Sequence, residues 1–158
     1  CSRLWDTSAG LCLRTLQHSD KAPVASVQFA PSSLQLLASS LDSAVRLWDM
    51  ANARVLKTYT GHVNTKYAGR AVFLCRRAHN GALRVWVACG SEDRRVYIWD
   101  LQTRRIVQTL NHFRDAVVGL SVRNCTYAYA QPHPTLPLLA AAALGQDAST
   151  QVWLDIVT

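Results

Sequence analysis

Histidine and aspartate recur together along this chain. Gly61–His62 precedes Asp93, Asn111–His112 precedes Asp147, and His18 more loosely precedes Asp42. An imidazole paired with a carboxylate is half of a relay that could activate a nucleophile. No nucleophile accompanies these pairs at a fixed spacing, and the pairing recurs along the chain, whereas an active site occurs once. The pairs therefore read as structural. A buried His can donate to a turn Asp while a Trp indole joins, so that each polar group is satisfied. His62–Asp93–Trp99 and His112–Asp147–Trp153 are the candidate networks. Both are expected to be partial, because four residues before each Asp a strand hydroxyl is missing: Ala38, Cys89 and Ala143 stand there.

Other chemistries find less support. Five cysteines (Cys1, Cys12, Cys75, Cys89, Cys125) form an odd set without a CxxC pair, which argues for reduced thiols and against a disulfide framework or zinc site. No His, Cys and carboxylate set has metal-ligand spacing, and seven glycines make no GxGxxG or GK[ST] loop. The expectation is a non-enzymatic protein without a cofactor; His79 and His133, the histidines of the insertions, are isolated from partners. Seventeen basic and ten acidic side chains give a net charge of +7. The positive residues are scattered, as in Arg94–Arg95 and Arg104–Arg105, with no run that reads as a sequence-specific nucleic-acid arm. A mildly basic surface favours anionic partners such as chromatin, and its plainer reading is solvation. No membrane span is expected, since Leu136–Leu144 is short and contains Pro137.

The elements that must position these residues are repeats. Asp42–Trp48, Asp93–Trp99 and Asp147–Trp153 each span six residues, within LASSLDSAVRLWD, ACGSEDRRVYIWD and AAALGQDASTQVWL. Trp5, Trp48, Trp99 and Trp153 lie 43, 51 and 54 residues apart, a period of four-stranded propeller blades with loop insertions in the later units. Short β-rich runs such as VASVQFA, LQLLASS, AVRLWD and RVLKTY alternate with turn residues, and YAGRAVFLC, RVWVACGS, RVYIWD and RIVQTL repeat the scheme. The fold class is all-β, a partial propeller. Residues 1–17 read as the end of one blade, 18–61 and 62–110 as full repeats, and 111–158 as a last repeat without its outer strand. Insertions fall at 76–83, marked by the Asn80–Gly81 turn, and at 121–132. Three and a half blades, opening on Cys1 within a strand pattern, read as the C-terminal half of a ring or a truncated gene model.

The stretches RLWDTSAGLCLRTL, LKTYTGHVNTKY, GSEDRRVYIWDLQTRRIVQTL and AALGQD resemble the WD40-repeat subunit of histone H3 lysine-4 methyltransferase complexes of the COMPASS or MLL type. The resemblance implies a seven-bladed WD40 ring, a scaffolding role and a nuclear location. It implies that one rim takes an arginine-containing peptide from the methyltransferase subunit or the histone H3 tail, the guanidinium held between aromatic rings. Tyr67 matches one of those aromatics and Leu144 an apolar lining residue, while Arg70 stands where the family has a second aromatic. On the opposite face the family binds an acidic-hydrophobic segment of a second core subunit. Leu47, Lys57, Phe73 and Gln102 match that cleft; Cys75, Ser32 and Gln35 depart from it. Core packing for Leu47 and Phe73, and a mere strand-edge role for Tyr67, are the plainer readings. Another WD40 adaptor, such as a ubiquitin-ligase substrate receptor or a signalling scaffold, would share the fold and not these partners.

Overall fold

The computed structural model describes residues 1–77, 82–123, 138–145 and 150–154, and these residues build four antiparallel sheets with no helix among them. The first sheet pairs β1 (Ser2–Asp6) with β2 (Leu11–Leu16). The second is a meander of β3 (Val24–Phe29), β4 (Gln35–Ser40), β5 (Ala44–Asp49) and β6 (Arg54–Tyr59). The third repeats it with β7 (Ala71–Arg77), β8 (Leu83–Gly90), β9 (Val96–Asp100) and β10 (Ile106–Leu110). The fourth contains β11 (Val117–Arg123), β12 (Leu138–Ala143) and β13 (Thr150–Leu154). This is a partial propeller in which each sheet is a blade.

Alternation along the strands explains the stacking. In β9, Val96 and Ile98 join a cluster with Val117, Leu120 and Leu139 of the fourth sheet, whereas Tyr97 and Trp99 join one with Leu37, Val45 and Leu47 of the second. β7 and β8 divide the same way: Leu74 and Trp86 face the fourth sheet, Phe73 and Val87 the second. The third sheet is therefore apolar on both faces, and a blade that buries both faces needs neighbours on both sides. Each large side chain so buried contributes roughly 1.5–3 kcal/mol. A smaller cluster of Leu16, Leu36, Ala38 and Trp48 joins the first two sheets.

Turn chemistry fixes the register. Asp6, Asp49 and Asp100 each follow a strand tryptophan and accept from backbone N–H groups two or three residues ahead: Ser8 (2.8 Å), Ala51 (3.0 Å), and Gln102 and Thr103 (3.0 and 2.7 Å). These Asx-type bonds favour a tight turn. The fifth residue of each turn is left-handed: Gly10 at φ 66°, Ala53 at 51° and Arg104 at 64°. Beyond the turn, the pairing skips Leu13, Leu56 and Val107, one bulge per outer strand, and all three side chains are exposed. Such bulges twist an edge strand away from further pairing.

Two contacts bind neighbouring blades closely. The Ser26 hydroxyl and the Gln28 amide oxygen of β3 accept from the N–H groups of Ala71 and Phe73 on β7, at 3.1 Å each. Gly90 ends β8 where a Cβ would lie 2.3 Å from the Val117 carbonyl oxygen, so only glycine allows the third and fourth sheets to approach. The sequence reading extended a strand from Tyr67, yet β7 starts at Ala71. Residues 65–67 direct their N–H groups to the Glu92 carboxylate, and Gly69 gives its carbonyl to Ser39, so these groups are not available to a ladder.

Candidate functional site

The six-residue Asp–Trp units hold blades together, with a wiring that differs from the expected one. Trp99 is fully buried and donates through Nε1 to the Thr60 carbonyl at 3.0 Å. Tyr97 stacks on it at 5.9 Å, and His62 meets it edge-on at 5.4 Å. His62 does not bond Asp93: neither ring nitrogen has a hydrogen-bond partner, and burial pushes its pKa down to about 4 against the pull of Asp93 and Asp42. The carboxylate instead accepts from the Tyr97 hydroxyl at 2.6 Å, because a phenol four residues along the strand reaches the turn directly. At the same position in the second blade, Arg46 bonds Asp42 at 2.5 Å and Ser40 at 2.7 Å.

The fourth blade departs further. Phe113, and not His112, packs on Trp153, at 5.5 Å, while His112 is exposed and its carbonyl accepts from Gln151 at 2.9 Å. Asp147, His79 and His133 lie outside the described residues. Arg46, Tyr97 and Gln151 thus form a series of long donors, each four residues after the Asp of its repeat, which single-pair reasoning missed. Hydroxyls also enter two residues before the Asp. Ser91 accepts from the Val63 N–H at 2.9 Å and donates to the Val63 carbonyl at 3.2 Å, while Ser40 donates to Asp42 at 2.7 Å. His62, buried and with its pKa lowered, packs edge-on against Trp99. Among the described residues no cluster of His, Cys, Asp and Glu could hold a metal.

Tyr67 belongs to a differently organised feature. The Glu92 carboxylate accepts from the N–H groups of Thr65 (2.7 Å), Lys66 (2.6 Å) and Tyr67 (2.9 Å), and from the Thr65 hydroxyl (3.0 Å). Partial burial pushes this carboxyl up, but the N–H groups of Tyr67, Lys66 and Thr65 and the Thr65 hydroxyl hold its pKa down at about 2. The loop is thereby fixed with Tyr67 36% exposed and the Lys66 ammonium 5.0 Å from its ring centre. Leu144 is half-buried at the end of β12, and its N–H bonds Ala116 at 2.9 Å. Arg70 is exposed, with its N–H bonded to Val118 at 3.2 Å. Tyr67, Arg70 and Leu144 thus sit on connected loops at one end of neighbouring blades. Sequence reasoning overlooked Glu92; the signal was available, since the second repeat has Leu41 at that place and a departure from a repeat marks a local task.

The residues matched to the opposite cleft separate into two groups. Lys57 and Gln102 come together: the ammonium donates to the Leu101 and Gln102 carbonyls at 3.0 and 3.1 Å and to Gln102 Oε1 at 2.6 Å. Leu47 (2% exposed) and Phe73 (1%) lie within the core between the second and third blades, as does Cys75. Their expected contact with a peptide is corrected by this burial; inter-blade packing occupies both side chains. Ser32 is exposed in the β3–β4 turn, and Gln35 is half-buried at the start of β4.

Comparison with known proteins agrees with this architecture. The WD40 profile, described as WD domain, G-beta repeat, matches residues 10–49 and 53–100. The chain is 31% identical over 110 residues to Protein tipD of Dictyostelium discoideum, covering 70% of this chain and 16% of that protein. It is 33% identical over 132 residues to WD repeat domain-containing protein 83 of Danio rerio, covering 84% and 36%. It is 31% identical over 112 residues to Target of rapamycin complex subunit wat1 of Schizosaccharomyces pombe, covering 70% and 32%. The chain spans between 16% and 36% of the length of these relatives. With the profile matched over more than half its length, and Trp-Asp turns closing successive blades, the chain belongs to the WD40-repeat family.

Proposed function

We propose that this chain is the non-enzymatic scaffold part of a nuclear histone H3 lysine-4 methyltransferase complex. Its rim at Tyr67 and Leu144 would present an arginine-bearing segment, from the methyltransferase catalytic subunit or the histone H3 tail. WD40 repeats are protein-interaction modules of the kind that bind segments at blade ends. The observation that carries the reading is the Glu92 clamp: it fixes Tyr67, 36% exposed, at a blade end where an aromatic ring can meet a cation, as it already meets the Lys66 ammonium. Lys57 and Gln102, held together on a blade edge, are the retained part of a contact with a second core subunit.

The test is affinity recovery from nuclear extract with the full-length protein that carries this chain, wild-type and Tyr67→Ala. Recovery of methyltransferase core subunits, reduced by Tyr67→Ala, is the expected result. A second reading, a signalling scaffold, is favoured by the likeness to the target of rapamycin complex subunit. Recovery of kinase-complex subunits in place of the methyltransferase core would select it, and cullin-type ligase components would select a ubiquitin-ligase receptor.

A further inference from the structure

Basic residues that are dispersed along the sequence are gathered by the fold at one end of the third blade, the end opposite Tyr67. β8 pairs Trp86 with Asp100, as β4 pairs Gln35 with Asp49, so Leu83, Arg84 and Val85 extend β8 past the first residue of its counterpart. At about 3.3 Å per residue the paired strands run roughly 10 Å further than in the second blade. This extension is rich in arginine. Arg76 and Arg77 end β7, and Arg76 stands directly opposite Arg84 in the ladder. Like charges in that relation oppose strand pairing. The β9–β10 turn lies against the base of the hairpin, its Leu101 N–H meeting the Val85 carbonyl at 3.4 Å, and adds the exposed Arg104 and Arg105.

One carboxylate of the blade, Asp100, shares this end with the five arginines. It accepts from the Gln102 and Thr103 N–H groups, neutral donors that leave its charge in place, so the net charge is +4. Lys57 adds to it, since its ammonium bonds neutral oxygens of Leu101 and Gln102. The neighbouring turn of the second blade is neutral, with Arg54 3.6 Å from Asp49. Asp155 lies outside the described residues, and Arg123, which ends β11, offsets it in the count. Among the described residues no carboxylate lies at ion-pair distance from Arg84, Arg104 or Arg105. At the Tyr67 end, by contrast, Glu92, Asp93 and Asp115 are interspersed with the cations.

We infer that this end of the third blade binds the sugar–phosphate backbone of duplex nucleic acid without regard to sequence. Guanidinium forks match phosphate oxygens bidentately. A duplex presents one charge per about 1.7 Å of its axis, enough to meet the hairpin and the turn together. An acidic peptide offers carboxylates only where its sequence places them. Phosphate contacts position a protein and carry no base information, hence the indifference to sequence. The inference gives the insertion at 76–83 a task, and it does not rest on the methyltransferase reading.

Anisotropy of two labelled DNA duplexes, equal in length and unrelated in sequence, tests it with the full-length protein that carries this chain. About three or four phosphate contacts give a slope of log affinity on log salt near −3, a fall of roughly 40- to 150-fold between 50 and 200 mM. Arg84→Gln with Arg105→Gln should flatten that slope by about 2, at about 0.9 per contact. Arg84→Lys with Arg105→Lys should retain most of it, which separates lost charge from lost fold. Arg94→Gln with Arg95→Gln, at the Tyr67 end, should leave it unchanged. Absence of binding, or a slope that the glutamine pair does not alter, overturns the inference. A preference of about tenfold between the duplexes, the scale of one base-specific pair, overturns it as well. Polyglutamate binding more tightly than the duplex at matched charge would assign the surface to an acidic protein segment instead.

Discussion

Replacing Glu92 by glutamine removes a single charge from the Tyr67 loop and should have a pH signature of its own. The carboxyl is held at about 2, against an ordinary 4.5, by three backbone N–H groups and the Thr65 hydroxyl. At about 1.4 kcal/mol per pH unit that difference corresponds to roughly 3 kcal/mol. The group is only partly buried, so water screens the interaction and about half should survive, or about 1–2 kcal/mol. Bonds to ionised acceptors, at about 1.5–3 kcal/mol, give the same order. A depressed carboxylate pKa contributes stability that is fully present above 4.5 and is lost as pH falls toward 2. Glu92→Gln should therefore lower unfolding stability by about 1–2 kcal/mol at pH 7 in urea titration, with the gap from wild type closing as pH drops through that window. Amide exchange of Lys66 and Tyr67 should quicken in the variant at neutral pH, since local opening precedes global unfolding in loops. A pH-independent gap, or unchanged exchange of those amides, would refute the assignment of the loop's order to this charge.

Three further substitutions probe the blade wiring. Tyr97→Phe removes the donor to Asp93, whose other oxygen is buried without a partner, and should cost about 1–3 kcal/mol by chemical denaturation; a neutral result would return the role to His62. Gly90→Ala would place a methyl 2.3 Å from the Val117 oxygen, so a cost of about 1–3 kcal/mol or more is expected in a thermal melt. A loss below about 0.5 kcal/mol, the range of surface changes, would show that the two blades can part freely. Arg104→Gly relieves an exposed side chain at φ 64° in a turn where the first blade already has Gly10, and should stabilise by about 0.5–1 kcal/mol in urea; destabilisation would show that its guanidinium has a partner of consequence.

The sheets were legible because three signals coincide in both full repeats: an apolar run, an Asp turn and a Trp-Asp ending. The site was less so. Alternation shows which residues share a face, but a blade is apolar on both faces, so nothing in the pattern distinguished Leu47 and Phe73 as core from the same residues lining a cleft. The His–Asp pairing was misread because the chain places a phenol or a guanidinium four residues after the Asp, and a donor on the same strand outcompetes one from a loop. Glu92 was hidden by its position beside Asp93, although Leu41 at the matching place in the preceding repeat set it apart. Tyr67, by contrast, was named from resemblance, and the physical reason for its exposure came only from the carboxylate behind it.

The alternation in β9 has a consequence for how such a chain can change over time. Ile98 and Trp99 are consecutive, yet one addresses the fourth blade and the other the second. A substitution at either site therefore perturbs one boundary and leaves the other nearly untouched, so adjacent codons govern physically independent junctions. Each junction can drift, loosen or re-form with a partner blade on its own schedule, while the hairpin turns at Asp49 and Asp100 hold the internal register of the second and third blades.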